Sequence, residues 1–122
     1  MDKEKYIIFN TRDMLLRISQ SQIMCFCADK NYTDMFLTTG RKFTFTYGLS
    51  AMQKHLEESL KEDVRYFVRL GKSAIANLQF VYRIDLLKQI LELYDPVNNK
   101  YFTLKVSKES LKSLKQFFKE EI

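Results

Sequence analysis

At 122 residues the chain fits one domain spanning residues 1–122 and is long enough to bury a real core. Its 46% hydrophobic and 14% aromatic residues argue against disorder. No run of about eighteen apolar residues exists to span a membrane, and the charged start Met1-Asp2-Lys3-Glu4-Lys5 leads into too short an apolar run for a signal peptide, so a cytoplasmic protein without a membrane partner is expected.

Taken in chain order, Tyr6-Ile7-Ile8-Phe9 reads as a strand, Thr11-Arg12-Asp13 as a turn and Met14 to Ile18 as a second strand. Ile23 to Cys27 is a third, and the spacing of Cys25 and Cys27 turns both thiols to one face. Two further zinc ligands and the C-x-x-C redox spacing are both missing, so these cysteines read as small buried hydrophobes. The polar loop Ala28 to Asn31 leads into Tyr32 to Thr38, and Thr39-Gly40-Arg41-Lys42 closes a hairpin. Phe43-Thr44-Phe45-Thr46-Tyr47 then alternates aromatic and Thr, the period of a half-buried strand.

A helix follows. Ser50 and Gln53 make an S-x-x-Q capping box, and Leu49, Met52, Leu56 and Leu60 form one apolar stripe with Lys54, Glu57, Glu58 and Lys61 off it. His55, the only histidine, sits beside that stripe with no paired nucleophile and reads as structural. Strand-like runs return at Val64 to Leu70, Phe80 to Ile84, Ile90 to Tyr94 and Tyr101 to Val106. After the first of these, Gly71-Lys72-Ser73 is a tight polar turn, and Ala74-Ile75-Ala76-Asn77 reads as a short helical turn. Asp95-Pro96-Val97-Asn98-Asn99 is turn chemistry joining two antiparallel strands. Ser107 caps a terminal helix whose buried face is Leu111, Leu114, Phe117 and Phe118, with Lys112, Lys115 and Lys119 outside.

The charge is unevenly distributed. Between Arg65 and Lys108 eight basic residues (Arg65, Arg69, Lys72, Arg83, Lys88, Lys100, Lys105, Lys108) meet three acidic ones (Asp85, Glu92, Asp95), so this segment carries the whole net charge of +5. On a folded domain that is a footprint for a polyanion, with a solvated Lys-rich strand face as the alternative. No Gly-rich phosphate loop, metal-ligand cluster or Ser-His-Asp spacing is present, so neither an enzyme nor a cofactor is expected. Lys72 projects from its turn beside Ser73, whose hydroxyl can bond a phosphate, and Lys108 follows the Ser107 cap, where helix amides and an ammonium face one point. Lys30, Asn31 and Tyr32 offer a charge, an amide and a phenol from a loop, suited to base edges. Arg69 bonds either a phosphate or its own framework, and Asn77 either contacts DNA or ties down its turn.

The stretch Phe67-x-Arg69-x-Gly71-Lys72-Ser73-x-x-Ala76-Asn77, followed by Val106-Ser107-Lys108 before a helix, resembles the signature of LytTR-type DNA-binding domains of bacterial transcription regulators. The family pattern is F-x-R-x-H-R-S-x-x-V-N, then V-S-R, and the resemblance covers nearly the whole chain. It implies a mainly β fold, an elongated β-sandwich of short strands with one or two short helices and a C-terminal helix. Such domains bind double-stranded DNA through loops that enter successive major grooves and an intervening minor groove, at imperfect direct repeats near promoters. Carried over by position, the early contact falls at Asn31 or Tyr32, the middle one at Lys72 and the late one at Lys108. Gly71 stands where the family has His, and Lys72 and Lys108 stand for Arg. Lys lacks the planar fork that Arg offers guanine, so specificity is expected to be lower or different while phosphate affinity persists. The family also carries a regulatory domain, which implies either a standalone binder or a piece of a longer regulator, with dimerisation expected mainly on DNA. The competing reading is a β-rich interaction module whose basic segment meets an acidic partner, or whose strand edge pairs with a peptide.

Overall fold

The computed structural model describes residues 5–121. β1 (Tyr6–Asn10) and β2 (Leu15–Ser19) form an antiparallel hairpin. After it come β3 (Ile23–Asp29), β4 (Tyr32–Leu37) and β5 (Lys42–Phe45), then α1 (Leu49–Leu60). β6 (Phe67–Leu70) and β7 (Ala74–Asn77) complete a five-stranded antiparallel sheet in the order β5-β4-β3-β7-β6. β8 (Val81–Asp85), β9 (Ile90–Asp95) and β10 (Lys100–Lys105) make a third sheet, and α2 (Lys108–Glu121) ends the described chain. The chain is mainly β, as expected.

The central sheet is covered on both faces. Phe26, Met35, Phe67 and Ile75 point into one core with the β1–β2 hairpin and the stripe Leu49, Met52, Leu56 and Leu60 of α1. Cys25, Leu70, Ala74 and Ala76 point into a second core with Leu91, Leu93 and Leu104 of the third sheet and Leu111 and Leu114 of α2. Alternation along each strand therefore sorts apolar residues between two cores.

Double coverage explains the main departure from the sequence reading. Ala74–Asn77 is a strand, β7, paired with β3 and β6, and is not a helical turn. All four residues are buried, and a short run enclosed on both faces shows no polar alternation to betray a strand. Two smaller expectations also change. Gly48 caps α1 without a side-chain bond, because Ser50 and Gln53 already lie within the helix and accept from Arg69 instead. Lys61–Tyr66 is a 3-10 segment, so the following strand begins at Phe67 and not at Val64. In α2, Leu111 and Leu114 are buried as expected, whereas Phe117 is 41% exposed.

Asn77 locks the centre of this arrangement. It is fully buried, donates from Nδ2 to the carbonyls of Gln20 (3.2 Å) and Ile23 (2.8 Å), and accepts at Oδ1 from the Gln79 amide (3.0 Å). It joins the end of β7 to the start of β3 and caps the 3-10 turn Leu78–Phe80. Truncation leaves buried backbone groups unpaired, a loss of about 2 kcal/mol. Asn77→Ala is expected to lower the unfolding free energy by about that amount in urea, and Asn77→Asp by at least as much, since a carboxylate cannot donate to the two carbonyls.

Candidate nucleic-acid interface

Three turns, one from the central sheet and two from the third sheet, meet at one cleft of about 620 Å³, lined by Ala28, Gly71-Lys72-Ser73, Lys88-Gln89 and Lys105-Val106-Ser107 together with Leu70. Each turn is tied to its neighbour through the backbone. In the β6–β7 turn, Gly71 has φ +59, a conformation that L side chains rarely adopt, and Ser73 bonds back to the Leu70 carbonyl through its amide (3.3 Å) and its hydroxyl (3.1 Å). The Ser73 carbonyl accepts from the Ala28 amide at 2.9 Å, which fixes this turn against the end of β3. In the β8–β9 turn, Asp85 accepts from the Lys88 amide (2.9 Å) and pairs with Arg83 (2.8 Å). The Gln89 carbonyl accepts from the Val106 amide at 3.1 Å, joining this turn to the start of α2.

The resulting surface is positive. Lys72, Lys88 and Lys105 line the cleft, no carboxylate does, and Lys108 opens α2 immediately after Ser107. Among the described residues none of these four lysines has an ion-pair partner. Glu109, exposed on the first turn of α2, is the acidic residue nearest in sequence to Lys108. Backbone bonds carry the scaffold here and leave the ammonium groups free to meet an anion.

Of the residues singled out from sequence, Lys72, Ser73 and Ser107 share this cleft, with Lys108 at its border. The hydroxyls of both serines are engaged: Ser73 donates to Leu70, while Ser107 accepts from the Ser110 amide (3.3 Å) as the helix cap and donates to the Ser110 hydroxyl (3.0 Å). Lys30 and Asn31 form the two-residue loop between β3 and β4, with Tyr32 opening β4; all three are exposed, outside the cleft but only a few residues beyond Ala28 on its wall. Lys30 has φ +58, the positive φ that a type II′ hairpin needs at its first loop position.

Arg69 and Asn77 are committed elsewhere. Arg69 faces α1, donating to Gln53 (2.7 Å), Ser50 (3.4 Å) and the Gly71 carbonyl (2.6 Å), so it braces the β6–β7 turn from behind. Asn77 is fully enclosed, so a contact with DNA is closed to it and its role is the interior lock described above. Sequence reasoning missed Lys88, Gln89 and Lys105 as site residues. Their signal was the excess of base between Arg65 and Lys108, which marks a segment without showing which of its turns converge.

Other chemistries find little support among the described residues. No three His, Cys, Asp or Glu side chains come together to hold a metal, and no helix is long and apolar enough to cross a membrane. Cys25 and Cys27 are free thiols; a hydrogen bond with Cys27, together with burial, pushes the Cys25 thiol well up. His55 sets Nε2 2.9 Å from the Ile8 carbonyl and rests against Phe9, a structural placement.

The chain is thus a small, mainly β domain that gathers lysines into a cleft lined by no carboxylate, a surface whose charge favours an anion. A family model described as the LytTr DNA-binding domain matches residues 13–119, and the chain belongs to that family. Among solved structures it is similar to the LytTr DNA-binding domain of a protein described as a methyl-accepting/DNA response regulator from Bacillus cereus. That likeness has a TM-score of 0.62 at 19% identity and covers 95% of this chain and 98% of that one. No curated protein sequence matches the chain.

The turn that carries Lys88 is pH-sensitive in a defined direction. The Lys88 amide, and after it the Arg83 guanidinium, hold the Asp85 carboxyl below its ordinary value. Because the folded value is the lower one, Asp85 contributes its full stabilisation above the unfolded value of about 3.9, and that contribution is lost as pH falls through the depressed folded value. The Lys88 amide is therefore expected to keep its chemical shift and exchange protection from pH 8 down to pH 5 and to lose both only in stronger acid. Asp85→Asn should lower that protection between pH 5 and pH 8, where the parent carboxylate is charged.

Proposed function

We propose that this chain binds double-stranded DNA sequence-specifically and serves transcription regulation, meeting the duplex with loops instead of a recognition helix. The observation that carries the reading is the convergence of Lys72, Lys88 and Lys105 on one cleft without a carboxylate, beside Lys108. Family membership supports the same partner. The lysines are point charges on flexible stems, suited to phosphate oxygens and to positioning. Base reading falls to Lys30, Asn31 and Tyr32 in the exposed β3–β4 loop, where an amide suits adenine and an ammonium guanine. In this reading the β3–β4 loop and the cleft turns enter neighbouring grooves. Paired direct repeats at promoters are filled by copies that associate on DNA, and the regulatory signal comes from a further domain or partner.

The test is selection from a random pool of labelled duplexes, followed by anisotropy titration of the enriched sequence at several salt concentrations. Enrichment of repeated half-sites is expected, with binding that weakens steeply as salt rises. Lys72→Ala and Lys108→Ala should each lower the salt slope by about one. Arg69→Ala serves as the contrast: it should lower thermal stability and leave the salt slope unchanged. Binding that enriches no sequence and ignores the lysine substitutions would exclude this function and leave the basic cleft to an acidic protein.

A further inference from the structure

The terminal helix carries a second basic feature that the cleft does not use. Lys108, Lys112, Lys115 and Lys119 recur at four-, three- and four-residue spacing. At 3.6 residues per turn they fall within about 60° of arc and span about 16 Å along the axis. This makes a single row of like charges. Such neighbours repel, each pair costing an isolated helix about 0.2–0.5 kcal/mol. Among the described residues none of the four lysines has an ion-pair partner.

The row has a fixed setting. Lys112, Lys115 and Lys119 line a shallow groove of about 260 Å³ together with Gln116 and with Leu86 of the β8–β9 turn, and among the described residues no carboxylate lines it. The same turn presents Lys88 and Gln89 to the main cleft. One turn thus lines both surfaces, and α2, which carries the second, begins at Lys108 directly after Ser107 of the first.

From this continuity we infer that the lysine row of α2 is a second phosphate-binding surface, which takes the DNA backbone flanking the site read by the loops. The inference rests on the DNA reading proposed above and extends its footprint. About 16 Å of helix corresponds to about five base pairs at 3.4 Å each. A membrane surface fits less well, because most of the apolar side of α2 is already occupied: Leu111 and Leu114 are buried in the second core and Phe118 packs against it, while Phe117 stands partly exposed. An unbroken positive row also suits a strand of evenly spaced phosphates better than a protein surface of mixed charge.

The test uses the full chain with Lys112→Gln, Lys115→Gln and Lys119→Gln combined, Gln being close to Lys in helix propensity. Helicity by circular dichroism and thermal stability should equal or slightly exceed the parent's, because the repulsion along the row is relieved. Two duplexes carry the selected site, one ending at it and one extending ten base pairs beyond. On the long duplex the triple variant should lose about 0.9 of salt slope per lysine, about 2.7 in all, with unchanged base preference. On the short duplex parent and variant should bind alike. Equal slopes on the long duplex, with normal binding by the parent, would overturn the inference and leave the loop reading intact. Failure of the parent to bind any duplex would remove both. Loss of binding to phosphatidylserine vesicles, with DNA binding intact, would reassign the row to lipid and so overturn the inference.

Discussion

The pairing of β7 with β3 is the constraint from which the rest of the molecule follows. These two strands sit at the centre of a sheet enclosed on both sides, with Cys25 opposite Ala76, Phe26 opposite Ile75 and Cys27 opposite Ala74. A slip of one residue would exchange the two faces, sending Phe26 and Ile75 into the core built around alanines and cysteines. Asn77 at one end of β7 and the Ser73–Ala28 bond at the other hold the register. The second of these also sets the height of the Lys72 turn above the sheet. Core packing and the placement of the candidate site are therefore one problem with one solution.

A division of labour between the two basic residue types runs through the described structure. All six arginines have partners: Arg12 lies by Asp13, Arg83 by Asp85 and Glu92, and Arg69 is hydrogen-bonded to Ser50, Gln53 and the Gly71 carbonyl. Arg17, Arg41 and Arg65 lie over the rings of Tyr6, Phe43 and Tyr66. No described lysine has an ion-pair partner. The guanidinium's planar fork and weak hydration suit it to bracing a framework, while the strongly hydrated ammonium stays at the surface at little cost. The rigid cations thus build the scaffold, and the flexible ones are left for a ligand.

Much of this was legible in the sequence where periodicity is local. The α1 stripe from Leu49 to Leu60 and the Asp95–Asn99 turn lie where their patterns put them, and of the alternating run Phe43 to Tyr47 the strand takes Phe43 to Phe45. The Ser107 cap and the two signature turns were legible as well, and Lys72 and Ser107 do line one cleft. Signals failed where tertiary context overrode local preference. Ala74-Ile75-Ala76-Asn77 has helix-forming alanines and no alternation, yet enclosure on both faces makes it a strand. Ser50 and Gln53 have the spacing of a capping box, yet burial of Leu49 starts the helix earlier and Arg69 claims both side chains. Lys88 and Lys105 joined the site only through antiparallel pairing of β9 with its neighbours, a contact that no local pattern announces.

Under the function proposed above, the same geometry limits how this surface discriminates among sequences. Four ammonium groups at and beside the cleft can each move over several ångströms, so they attract a backbone without fixing which base lies opposite. Gly71 adds no side chain to the β6–β7 turn, and Arg69, the one guanidinium near it, is held from behind by α1. Rigid directional donors and acceptors near the cleft are therefore few. Asn31 and Tyr32 meet that description, because their hairpin is held by β3–β4 pairing up to the Asp29–Tyr32 pair and the positive φ of Lys30 sets the loop. In the function proposed above, base reading passes through that hairpin, while the lysines set affinity and its salt dependence.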